Sequence, residues 1–158
     1  MSERYKPIDM AETGPGAVRT AFGNQVAYCR ANDARVTARI VAALNALLDS
    51  PASEFARRIA GWQGPPLADA LPLRAAGGLH ALHLSGIADE LAPIYADAED
   101  LNDAAIVAGA VHRHEAALLP WLDGPPQTNE AGRSSNFIAA MLWLADRGLP
   151  PLFDCLEI

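Results

Sequence analysis

Cysteine is nearly absent from this chain. Cys29 and Cys155 stand far apart in 158 residues with no CxxC between them, which excludes a disulfide framework and a thiolate zinc site. Two free thiols in a reducing cytosol account for them, and Cys155, among apolar neighbours, reads as an inert buried thiol. Basic charge is also short: twelve Lys and Arg face nineteen Asp and Glu, for a formal charge of −7. Arg57 and Arg58 are the only adjacent basic pair, and no aromatic residues interleave with them. Such a field repels a phosphate backbone, so nucleic acid is excluded as a partner. No stretch reaches the roughly 18 uninterrupted apolar residues of a membrane span. The first fifteen residues, MSERYKPIDMAETGP, hold no apolar core of a secretory signal. The expected location is therefore the cytoplasm, away from membranes. GxSxG, HExxH, GxxxxGK and GxGxxG do not occur, and neither does a fixed-period repeat.

Apolar residues are plentiful, at 51% of the sequence, enough for one packed domain of ordinary size. Their spacing is helical. Val18, Phe22, Val26 and Cys29 recur every three or four residues and predict a helix over 16–30. Asn32 or Asp33 would cap a second helix carrying Val36, Ile40, Leu44, Leu47 and Leu48, packed antiparallel to the first. Ser53 would cap a short third helix through Phe55 and Ile59, closed by Gly61 in a left-handed conformation. A turn at Gly64, Pro65 and Pro66 precedes a helix over 73–84, interrupted by Gly77 and Gly78, where a neighbour can approach closely. Asp100 opens the longest pattern, with Val107, Val111, His114, Leu118 and Trp121 on one face, ended by Gly124, Pro125 and Pro126. A further helix begins near Thr128 or Asn129, carries Phe137, Ile138, Met141 and Leu142, and stops at Gly148.

The end differs in kind. Pro150 and Pro151 bar a helix, and Leu152, Phe153, Cys155, Leu156 and Ile158 read as a short buried strand. A lone strand leaves its backbone groups unpaired, so it needs another copy of the chain or further sequence. The fold class is thus mostly α: a helical bundle-like domain ending in one short β-strand that would begin an α/β domain absent from this sequence. We divide the chain into a polar leader (1–15), a helical domain (16–148) and the start of a truncated Rossmann-like domain (149–158).

The densest polar cluster is Gln127, Thr128, Asn129, Glu130 and Arg133, between a Gly-Pro-Pro turn and an apolar helix. Unpaired N–H groups at a helix start together with Arg133 would hold a carboxylate or phosphate, with Gln127 and Asn129 orienting it. An ordinary capped helix start, with Glu130 and Arg133 paired on the surface, accounts for the same residues. Gly132 in the first turn favours close approach of a ligand or backbone. His80 and His83, three apart, share a helical face but have no acidic third ligand at a supporting position. His112 and His114 point to different sides of their helix, and His114 on the apolar stripe reads as a neutral core histidine. No metal is expected.

The run Gln127-Thr-Asn-Glu-Ala-Gly-Arg133, the apolar helix after it and Pro150-Pro-Leu-Phe-Asp-Cys-Leu-Glu-Ile158 resemble an uncharacterised bacterial family, domain of unknown function 2332. The stretch from Gly77 to Gly86, with His80 and His83 inside it, looks like that family's upstream helix. The resemblance implies a chain about twice this length, continuing after Leu156-Glu-Ile158 into a Gly-Ala-Ser-Ala-Gly-Leu-Asn type of segment. That segment is similar to the strand-to-loop start of Rossmann-like methyltransferase folds, with Glu157 beside it. It would hold a nucleotide-type cofactor such as S-adenosylmethionine, and none is expected within this chain alone. The resemblance brings architecture and no activity with it, and whether the chain belongs to an enzyme stays open.

Two readings follow. The first is a helical substrate-binding or lid domain of a two-domain cytosolic protein, a cofactor-dependent methyltransferase-like enzyme, inactive alone and taking a small anionic ligand. The second is a helical protein-interaction or dimerisation module without catalysis. Expected partners are a second copy of the chain or the absent C-terminal domain.

Overall fold

The computed structural model describes residues 9–123. Among them the chain forms six α-helices and one 3-10 turn, with no strand. The expected helix after Thr128, the Gln127–Arg133 run and the terminal strand lie outside the described residues.

α1 (Pro15–Ala31) starts on a proline whose fixed φ suits a first helical position. It buries Val18, Phe22, Val26 and Cys29, the stripe read from the sequence. α2 (Arg35–Leu47) follows, but neither Asn32 nor Asp33 caps it: its N-cap is Ala34, without a side-chain hydrogen bond. The junction is so short that its polar residues serve other ends. Asn32 donates its side-chain amide to the Tyr28 carbonyl at 2.9 Å, closing α1. Asp33, at φ 59°, accepts from Arg35 Nε at 3.1 Å. Arg19, near the start of α1, donates to the Asn45 carbonyl near the end of α2 at 2.6 Å, which makes the two helices antiparallel.

α3 (Glu54–Ala60) is capped as expected, with Ser53 Oγ accepting from the Ala56 amide at 3.0 Å. A second free amide at this end, that of Phe55, donates to Glu115 Oε1 at 3.0 Å. Gly61 is not left-handed, since its φ is −93°. A Cβ there would stand 3.2 Å from the Arg57 carbonyl, so it is crowding against the last helical turn that suits glycine.

α4 (Leu71–Leu84) runs unbroken through Gly77 and Gly78. A 3-10 turn (Asp89–Leu91) and the four-residue α5 (Ala92–Tyr95) follow, neither of which periodicity is long enough to show. α6 (Asp103–Asp123) begins later than Asp100, which sits at φ 57°. Asn102 Oδ1 accepts the Ala105 amide at 3.0 Å and does the capping instead. α6 bends at His114, whose φ of −114° and ψ of 19° are not helical. His114 is part-buried at the bend, and Val107, Val111, Leu118 and Trp121 are buried.

α2 lies at the centre, packed on α1, α4, α5 and α6. Ile40 and Leu44 of α2 meet a core that includes Phe22, Phe55, Leu79, Ile94 and Leu118. α4 and α6 are antiparallel neighbours that approach closely at Gly78. A Cβ on Gly78 would lie 2.9 Å from Leu118 Cδ2 and 3.1 Å from Trp121 Cγ. Gly78→Val should therefore lower stability by about 1–3 kcal/mol through overpacking. Gly109→Ala, at an exposed site in α6 where a Cβ meets nothing within 4 Å, should raise it by roughly 1 kcal/mol. Urea unfolding of the two variants checks both signs.

Candidate functional site

α4 carries the polar groups that the packing draws inward. Its sequence, LPLRAAGGLHALHL, holds one arginine and two histidines among apolar and small residues, so any of them that folding buries needs a partner. His80 and His83 do share a face, and what they meet is Tyr95 at the end of α5. The Tyr95 hydroxyl bonds to His80 Nδ1, and the His83 ring stacks on the Tyr95 ring with centroids 3.8 Å apart and planes 22° apart. With Tyr95 donating, His80 keeps its proton on Nε2, which faces Thr37 Oγ1 of α2 at 3.4 Å. His83 Nδ1 lies 3.4 Å from the Ala88 carbonyl. Burial, with a smaller push from His83, lowers the His80 pKa to about 4. Burial also raises the Tyr95 pKa. Both groups are neutral near pH 7, and the pair ties α2, α4 and α5 together.

The arginine lies at the other end of α4. Arg74 is 6% exposed, and its Nη1 is 3.4 Å from the Leu122 carbonyl in the last described turn of α6. Its Nε has no hydrogen-bond partner among the described residues. Asp69, just before the helix and also 6% exposed, accepts from Trp62 Nε1 at 2.8 Å. The loop must fold tightly for this, since a Cβ on Gly64 would stand 2.3 Å from Asp69 Oδ2. Burial lowers the Arg74 pKa, and the field of Asp69 works against that.

Other charges are engaged with one another. Arg39 makes a two-pronged bond to Asp103, Nε to Oδ2 and Nη2 to Oδ1, each at 2.8 Å. With Arg35 and Asp97 these line an open groove of about 470 Å³ between α2 and the segment before α6. At the bend of α6, His114 Nε2 lies 3.0 Å from Glu90 Oε1, and Arg113 Nη1 is 3.1 Å from the same oxygen. Partial burial pushes the Glu90 pKa up, but its own backbone N–H and the charges of His114 and Arg113 outweigh that and hold it below its usual value. No cluster of three or more His, Cys, Asp or Glu suited to a metal occurs among the described residues.

Of the residues singled out from sequence, His80 and His83 are brought together. Gln127, Thr128, Asn129, Glu130, Arg133 and Glu157 lie outside the described residues. Sequence reading passed over Thr37, Asp69, Arg74 and Tyr95. Arg74 had a legible signal, as a lone full charge in an otherwise apolar helix; Tyr95 and Thr37 had none.

The His80 pair generates a pH dependence. In the unfolded chain the imidazole takes a proton near its ordinary 6.5, whereas folded His80 resists until about pH 4. The unfolded state thus binds more protons between those values, and stability falls as pH drops through that window, by on the order of 3 kcal/mol in all. The Glu90 contribution is lost only as pH falls below about 4.5, so the range above pH 5 reads His80. Calorimetric melting temperatures between pH 7 and 5 should decline for the wild type and stay flatter for His80→Gln.

Searches of curated proteins and of solved structures returned no match. The family described as "Uncharacterized protein conserved in bacteria (DUF2332)" matches residues 19–158. That span covers most of the chain, from the first turn of α1 through the Gln127–Arg133 run to Ile158, and the protein is a member of this bacterial family.

Proposed function

We propose that the helical body is the substrate-binding or lid domain of a two-domain cytosolic protein, methyltransferase-like and cofactor-dependent, and that it is inactive alone. One observation carries this reading: a buried arginine whose Nε–H has no partner among the described residues sits beneath the last described turn of α6. The chain enters the Gln127–Arg133 run four residues after Asp123. An uncompensated buried cation at that exit favours an anion arriving there. A nucleotide-type cofactor such as S-adenosylmethionine would be held by glycine-rich sequence beyond Ile158. Residues 9–123 form no strand-to-helix glycine turn to cradle one, and we assign the helical body the binding role.

The intact mass of the natural protein, taken from its own cell, tests this reading. A mass near twice 16.7 kDa is expected, together with calorimetric binding of S-adenosylmethionine to that protein and not to residues 1–158. In the natural protein, Arg133→Ala should weaken binding of small carboxylates or phosphates and leave the melting temperature unchanged. A natural mass of 16.7 kDa sinks the two-domain reading.

That second outcome favours an interaction or dimerisation module. Leu84 and Ile87, 57% and 55% exposed, flank the turn after α4 and offer apolar surface to a partner. Under this reading the protein self-associates in concentration-dependent sedimentation. Deleting 152–158, or combining Leu84→Ser with Ile87→Ser, then yields monomer.

A further inference from the structure

Arg74 is held in place by the closeness of its own helix to α6. Gly78, one turn further along α4, has the side chains of Leu118 and Trp121 where a Cβ would project. That contact brings the guanidinium to the Leu122 carbonyl in the last described turn of α6. Only Nη1 is used there. Asp69 is the opposite charge whose field reaches Arg74, yet no hydrogen bond joins them, and Asp69 Oδ2 is occupied by the Trp62 indole. Among the described residues the Nε–H is left buried without an acceptor. In a planar guanidinium, Nε–H and one Nη2–H point the same way and form an edge that matches the two oxygens of a carboxylate.

We infer that the Nε edge of Arg74 is a carboxylate-binding site at the end of the α4–α6 pair. The inference rests on the binding-domain reading above and names the ligand chemistry of that domain. Asp69 is a negative charge beside the site, which limits it to a ligand of single charge and disfavours a phosphate dianion. The carboxylate has two sources: a free small molecule, or a later acidic side chain of this chain, Glu130 or Glu157.

The test uses the 158-residue protein, with acetate and formate as probes, inorganic phosphate as comparison and chloride at matched ionic strength as control. The Arg74 Nε–H resonance of ¹⁵N-labelled wild type should shift saturably with a carboxylate, and less with phosphate. Arg74→Lys keeps the charge and loses the edge, so it should weaken carboxylate binding by roughly tenfold or more. If carboxylates have no effect but Glu130→Gln or Glu157→Gln moves the Nε–H resonance, the chain supplies its own carboxylate and the site stands. If neither the added carboxylates nor those two variants move the resonance, the inference is overturned, and the lone contact to Leu122 is all that Arg74 does. Because the resonance is read in protein with Arg74 intact, poor folding of Arg74→Lys does not affect the outcome. A natural mass of 16.7 kDa removes the two-domain reading without altering the titration, and a silent titration removes this site without altering the mass.

Discussion

The close approach of α4 and α6 at Gly78 is the contact on which the rest of the polar arrangement depends. Leu118 and Trp121 occupy the space a side chain would fill, so the two backbones come nearer than larger residues allow. The register this sets carries Arg74 to the Leu122 carbonyl at one end of the pair. At the other end of α4 it leaves the histidines beyond the contact, free to meet α2 and α5. An apolar core of ordinary residues could assemble without Gly78; the place where the arginine is buried could not be the same.

Neutral and ionic groups are separated in this body. The buried polar contacts at the end of α4 involve uncharged partners, with His80 between Tyr95 and Thr37 and burial holding the imidazole neutral near pH 7. The charged groups lie nearer water and pair there, as in the Arg39–Asp103 bond. That division follows from desolvation, which disfavours an ion far more than a neutral ring. Asp69 and Arg74, both 6% exposed, stand outside it: a guanidinium does not lose its proton near neutral pH, so burial leaves Arg74 charged and under-coordinated.

The bend in α6 gives one short segment three functions. His114 leaves the helical path and faces Glu90, Arg113 reaches the same carboxylate, and Glu115 accepts the Phe55 amide at the start of α3.

Helix content, the apolar faces of α1 and α2, the Ser53 cap and the close contact at Gly78 were determined by local sequence, because periodicity and capping act over a few residues. Family membership was legible in the Gln127–Arg133 and Pro150–Ile158 runs. Tertiary structure alone decided that Asn32 and Asp33 do not cap α2 and that α6 bends. It also decided which partners the α4 residues meet, since Tyr95 is 15 residues from His80 in sequence and Leu122 is 48 from Arg74. Spacing within a helix tells which residues share a face; it carries no information on which distant side chain, or which unfilled edge of a guanidinium, folding will put opposite that face.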